Sequence, residues 1–194
     1  MGEALKSESD ATKTPPLEAQ KNFWNEWNQS WRFSNFDNFM AAQREFATSL
    51  FTQRKIRDAR ILDVGCGTGW LGNSLLPFGK VWATDLSQAA VSEGMKQYPE
   101  VQFIQGDFLT LDLPGPFDVV VSADSINNMH DQQRSVQRQA ELLKRGGLLL
   151  MMTPNRAVWR WRSALGPLGQ GQVQYWRSLA EYKKLLRPYF RIER

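Results

Sequence analysis

The sequence predicts a doubly wound α/β fold, a mostly parallel sheet with helices on both faces. Three features carry that reading. A short apolar run, Ile61-Leu62-Asp63-Val64, leads into glycines at alternate positions, Gly65, Gly67 and Gly69. Four further strand-like runs follow at 80–85, 101–105, 117–122 and 147–153. Segments of helical spacing, Trp70–Phe78, Gln88–Gln97, Gln132–Lys144 and Ser178–Leu186, alternate with these runs. That alternation builds a parallel sheet covered on both sides.

Taken in order, residues 1–16 are polar and end in Pro15-Pro16, which reads as a disordered lead. Leu17–Gln29 and Asn35–Phe51 carry Phe, Trp, Met and Leu at helical spacing with no strand between them. Residues 17–54 therefore read as an N-terminal helical cap, and residues 55–194 as the alternating domain. Its first strand must end in a tight turn, because glycine is needed where φ is positive or where a ligand meets the main chain. The helix opening at Trp70 aims free N–H groups and a positive dipole end at a bound anion. A nucleotide-like cofactor is expected there.

Two cofactors compete for that loop. Gly67-Thr68-Gly69-Trp70-Leu71-Gly72 is a literal GxGxxG, the dinucleotide fingerprint, but it starts two residues past the strand end. Read from Asp63, the pattern is Asp-x-Gly-x-Gly-x-Gly. A carboxylate at that point repels a pyrophosphate and holds an ammonium group. S-adenosylmethionine has the ammonium, and a carboxylate to face the helix N-terminus. The second strand ends in Asp85, 20 residues past Gly65, the spacing at which an acid binds ribose hydroxyls. The third ends in Gly106-Asp107-Phe108. Asp107 suits an adenine amino group, with Phe108 or Leu86 lying against the ring. NAD makes no comparable demand for a third acid, so an NAD-dependent oxidoreductase is the weaker reading.

These residues together resemble the class I S-adenosylmethionine-dependent methyltransferases of small-molecule type, whose sheet is Rossmann-like. The matches are Ile61–Gly69 for the glycine loop, Asp85-Leu86-Ser87 after the second strand, and Gly106-Asp107 after the third. Phe117–Val121 matches the fourth strand. Leu143-Lys144-Arg145-Gly146-Gly147 matches the turn into the fifth, with Arg145 in place of the usual proline. The resemblance covers roughly residues 55–155 of the chain. It implies S-adenosylmethionine held by Asp63, Gly65, Cys66, Gly67, Gly69, Asp85, Leu86, Asp107, Phe108 and Ala123. The implied reaction is methyl transfer to an O, N or C nucleophile of a small or lipophilic molecule, such as a natural product or quinone precursor. A cofactor-binding scaffold without turnover is the alternative.

In that fold the helical cap lies over the cofactor site, so Phe23, Trp24, Trp27, Trp31, Phe33 and Phe36 are candidates to line a substrate pocket. Ordinary amphipathic packing also accounts for them. A hydroxyl or ammonium acceptor must lose a proton, usually to a side chain near the end of the fourth strand. His130 in the loop 122–131 is the only histidine and the candidate base, although related enzymes place their histidine where Asn128 stands here. Asp131 reads as a helix N-cap. The family normally closes with two more strands, the last antiparallel. Tyr189–Arg194 supplies one at most, so either the chain is truncated or the sheet closes without its final antiparallel strand.

Composition narrows the partners. At 194 residues the chain buries a core without staples. Cys66 is the only cysteine, which excludes an internal disulfide and suits a reducing, cytoplasmic setting. No apolar run approaches the ~20 residues of a membrane span. The net charge of +4 is uneven: 11 basic and two acidic residues lie from Lys144 onward, against 13 and 18 before it. Without a basic-aromatic ribonucleoprotein motif, nucleic acid is not the expected partner, and no metal is expected either. Residues 155–175 form a candidate substrate lid that is expected to be mobile. Its alternating Trp159-Arg160-Trp161-Arg162 suits an anionic or aromatic acceptor, or peripheral membrane contact.

Overall fold

A computed structural model of the chain describes residues 14–30, 37–156 and 172–193. The apolar runs pair into one five-stranded, all-parallel sheet: β1 (Ala59–Val64), β2 (Gly79–Asp85), β3 (Gln102–Gln105), β4 (Phe117–Ala123) and β5 (Leu143–Met152). Their order across the sheet is β3-β2-β1-β4-β5. The helices are α1 (Leu17–Ser30), α2 (Asp37–Gln53), α3 (Trp70–Leu75), α4 (Gln88–Gln97), α5 (Gln132–Leu142) and α6 (Leu179–Leu186). Short 3₁₀ turns lie at Leu76–Phe78 and Ile126–Asn128.

Side chains on a strand alternate between faces, so each strand feeds two cores. Ile61, Val81, Ala83, Phe103, Val119 and Val121 pack on one face against Ala47 and Phe51 of α2, Leu71 and Leu75 of α3, and Val91 of α4. Leu62, Val64, Trp82, Phe117 and Val120 fill the other with Phe108, Leu113 and Leu142. A third cluster, Ile126, Val136 and Tyr182, joins the turn after β4 to α5 and α6. Helices therefore cover both faces, as the alternation requires.

Local signals account for the boundaries. Asp131 caps α5, its carboxylate accepting from Arg134 N–H at 2.8 Å. Ser178 and Glu181 form a reciprocal capping box that starts α6, which satisfies two otherwise orphaned donors. β5 begins at Leu143, four residues ahead of the expected start, and the register with β4 shifts between Phe117 and Val119. The irregularity absorbs Gly146, whose φ is +80°.

The chain end differs from its sequence reading. Tyr189–Glu193 forms no strand; Phe190 packs into the third cluster and the Glu193 carboxylate pairs with Arg54 at the end of α2 and with Arg191. Among the described residues β5 has no neighbour on its outer side and no strand is antiparallel.

Phe103 joins the fold to the glycine loop. Alanine methyls built at Gly69 and Gly94 fall 2.4 and 2.5 Å from its ring, so the ring fills the space that those two glycines vacate. Phe103→Ala is expected to destabilise the chain by about 3–5 kcal/mol, measurable as a lowered urea midpoint with an unchanged slope.

Candidate functional site

The strand order reverses direction between β1 and β4, and ligands of open α/β sheets bind in the crevice outside the carboxyl ends at such a point. Here β1 runs into the glycine loop and β4 into Ala123-Asp124-Ser125. Gly65, Gly67 and Gly69 have φ of +69°, +55° and +82°, a region that disfavours side chains. A Cβ at Gly65 would lie 2.4 Å from Ser125 Cβ, so the two loops touch there. A Cβ at Gly67 would meet nothing within 4 Å, leaving open space over that peptide.

Asp85 organises this end of the sheet. Its Oδ2 accepts from Gly67 N–H and its Oδ1 from Ser87 N–H, both at 2.8 Å. The carboxylate thus ties the glycine loop to the start of α4 and keeps lone pairs for a ribose diol. Ser87 Oγ caps α4 by accepting from Ala90 N–H. Asn25 of α1 reaches the same corner, its Oδ1 accepting from Ser87 Oγ at 2.9 Å and Ala89 N–H at 3.2 Å. The first helix therefore lies against the loop that follows β2.

Asp63 is 1 % exposed, and its Oδ2 has no hydrogen-bond partner. Burial raises its carboxyl to about 7, the nearby Asp85 adding to the rise and the Gly72 N–H opposing it. Burial also raises the carboxyl of Asp85, against the Ser87, Gly67 and Leu86 N–H groups that lower it. Desolvation by burial pushes the Cys66 thiol well up, with Asp85 and Asp63 adding to it. Cys66 is an inert filler of the turn by this measure.

The other expected residues are placed as follows. Leu86 follows β2 directly, and Ala123 ends β4. Asp107 begins the turn after β3, its Oδ1 accepting from Leu109 N–H at 3.0 Å. Phe108 is buried in the second core cluster with the Arg138 guanidinium 5.6 Å above its ring. His130 is exposed just past the turn that follows β4. Phe23, Trp24 and Trp27 cluster on α1 with centroids 4.9–6.3 Å apart, Phe23 stacked on Trp27 and Trp24 edge-on to both. Trp31, Phe33 and Phe36, the Trp159–Arg162 run and most of the expected lid lie outside the described residues.

Sequence reasoning missed three contributors: Asn25, Phe103 and Gln43. Gln43 of α2 donates to Asp124 Oδ2 at 2.8 Å. No local pattern marks a partner 81 residues away.

A glycine loop, an acid ending the second strand and a buried acid with one unpartnered oxygen behind the loop define a nucleotide-type cofactor domain at the switch point of a parallel sheet. Comparison with known proteins specifies which. Residues 61–147 match a family described as a methyltransferase domain. The chain is 36 % identical over 98 residues to a Mycobacterium tuberculosis protein described as a probable S-adenosylmethionine-dependent methyltransferase, covering 50 % of this chain and 36 % of that one. It is 33 % identical over 114 residues to a ubiquinone biosynthesis O-methyltransferase of Xanthomonas euvesicatoria, covering 54 % and 47 %. The chain thus spans half or less of these relatives' lengths. The solved complex of DhpI with SAH shares the fold, with a TM-score of 0.71 at 20 % identity over 92 % of this chain and 89 % of that one. Residues 61–147 thus carry a methyltransferase domain, and the cofactor named for the Mycobacterium relative is S-adenosylmethionine.

The residues fit that cofactor. The unpartnered Asp63 oxygen suits a cation, and the space over Gly67 admits a ligand against bare backbone. A pH dependence follows. Were Asp63 to hold the cofactor's ammonium it would do so ionised, and protonation below about pH 7 would oppose binding. Affinity for S-adenosylhomocysteine is expected to rise with pH through that region, by up to about tenfold per unit below it. Calorimetric titration between pH 5.5 and 8 measures this, and Asp63→Asn should flatten the profile.

Proposed function

We propose that this protein transfers the methyl group of S-adenosylmethionine to a small-molecule acceptor. The observation that carries the proposal is the Asp85 carboxylate, held by the Gly67 and Ser87 N–H groups at the mouth of the glycine loop. That position matches the ribose contact of an adenosyl cofactor better than any other acid in the chain. Asp63 would hold the cofactor's ammonium, Gly65 and Gly67 would admit its amino-acid end against the backbone, and Asp107 would face the adenine amino group. When bound, S-adenosylmethionine supplies a methyl carbon already activated by a positive sulfur.

The chain's own work is then alignment and exclusion of water. The contacts of α1 with Ser87 and Ala89, and of α2 with Asp124, support a cap that covers the crevice from the N-terminal side. The ubiquinone-type relative's name supports a small acceptor of that general kind. His130 remains a candidate base by sequence, and its side chain is exposed. Transfer is tested by following S-adenosylhomocysteine release over a panel of phenols, alcohols and amines. Product above the acceptor-free rate supports the proposal. Tight cofactor binding with no transfer to any member favours the non-catalytic scaffold.

A further inference from the structure

We infer that Asp124 and Gln43 form the acceptor-binding pair of this site, and that the acceptor carries its own O–H or N–H group. The inference rests on the methyltransferase reading above and names the substrate class for it. Gln43 Nε2 donates to Asp124 Oδ2 at 2.8 Å. That single bond leaves one oxygen on each side chain, Gln43 Oε1 and Asp124 Oδ1, and both are buried without a donor. Gln43 itself is only 8 % exposed. Buried acceptors left unpaired cost about 1–3 kcal/mol each, so two on adjoining side chains mark a place where a donor belongs.

The backbone holds the pair in position. Asp124 has φ of +53°, uncommon for a residue with a side chain and associated with functional sites. Its N–H donates to Met152 O at 2.8 Å, and its carbonyl accepts from Asn128 Nδ2 at 2.9 Å. The next residue, Ser125, sits against Gly65 of the glycine loop and hydrogen-bonds to Ser122 at 2.7 Å. Asp124 is thereby fixed at the end of β4, one residue from the contact with the loop assigned to the cofactor.

Two acceptor oxygens select by charge and by hydrogen-bond sense. A phenol, alcohol or amine donates to them. A carboxylate acceptor has no proton to give and meets a carboxylate. Burial raises the Asp124 carboxyl, the Gln43 amide opposing that rise, and a raised carboxyl accepts a proton more readily. The proton leaving the acceptor's oxygen or nitrogen passes to Asp124 Oδ1, turning carboxylate into carboxylic acid. That frees the acceptor's lone pair to form the new bond to the methyl carbon as the carbon–sulfur bond breaks, its electron pair going to sulfur so that S-adenosylhomocysteine would leave, and the proton then returns to solvent.

The test is Asp124→Asn in the full chain. Asparagine tolerates positive φ as aspartate does. It also keeps an oxygen for Gln43, but presents an NH₂ where Oδ1 was. S-adenosylhomocysteine affinity is expected to stay within about twofold of wild type, while transfer to catechol or benzylamine falls by about a hundredfold or more. In a crystal structure of the S-adenosylhomocysteine complex, Asp124 Oδ1 should carry a solvent or additive donor and no cofactor atom within hydrogen-bond distance. Three outcomes overturn the inference alone: cofactor affinity falling tenfold or more in Asp124→Asn, the cofactor ammonium seated on Oδ1, or wild-type transfer to benzoate or malonate in preference to the donor-bearing probes. Failure of the wild-type chain to bind S-adenosylhomocysteine overturns the methyltransferase reading itself.

Discussion

Asp85→Ala is expected to lower affinity for S-adenosylhomocysteine by at least about a hundredfold. Hydrogen bonds to a charged group contribute about 1.5–3 kcal/mol each, and a ribose diol would lose two. The substitution also removes the shared acceptor of the Gly67 and Ser87 N–H groups, so the loop loses the tie that shapes it before any ligand arrives. Stability should respond less than binding. The two N–H groups lose their partner, but a carboxylate whose titration is raised by burial is removed with them, and the two effects oppose. Calorimetry of the variant beside its urea denaturation separates these effects. A variant that unfolds as readily as it loses binding would show that Asp85 is scaffold alone. Asp85→Asn should not rescue affinity, because one amide arm would present a donor to a backbone N–H.

Gly65→Ala is the second large expected effect. At φ +69° an alanine costs about 1 kcal/mol relative to glycine. Its methyl would also fall 2.4 Å from Ser125 Cβ and 3.3 Å from Ser125 Oγ. Neither neighbour can yield freely, since Ser125 is 7 % exposed and bonded to Ser122. Overpacking of this kind costs about 1–3 kcal/mol more. The glycine loop and the β4 loop must separate, which spoils the crevice between them. The expected result is a destabilised chain with cofactor binding below detection. Gly67→Ala tests the reason, because its methyl enters open space. That variant should fold nearly as well and lose binding only through occlusion and its own positive φ.

The comparison of sequence with structure follows from the range of each interaction. The strand runs were legible because burial on both faces leaves few polar positions, and Leu62, Val64 and Val120 lie in one core with Ile61, Val119 and Val121 in the other. Asp85 was legible because a fixed helix length separates it from the loop. The Asp131 cap was legible because capping is decided within four residues. Contacts across the fold were not. Nothing local to Asn25 or Gln43 shows that α1 meets Ser87 or that α2 meets Asp124, 62 and 81 residues away. The aromatic near the third strand was assigned to Phe108, next to Asp107. Strand parity also puts Phe103 under the glycine loop, which no local pattern marked, and Phe108 lies under Arg138. Tyr189–Glu193 alternates like a strand, yet a strand exists only where a neighbour pairs with it, and Phe190 found a hydrophobic cluster instead.

The most direct measurement is calorimetric titration of the full chain with S-adenosylhomocysteine, and with NADH in a parallel run. The expected result is single-site binding of S-adenosylhomocysteine in the micromolar range, about −8 kcal/mol, with no heat from NADH. Binding of NADH in preference, or silence from S-adenosylhomocysteine with a folded protein in the cell, would contradict it.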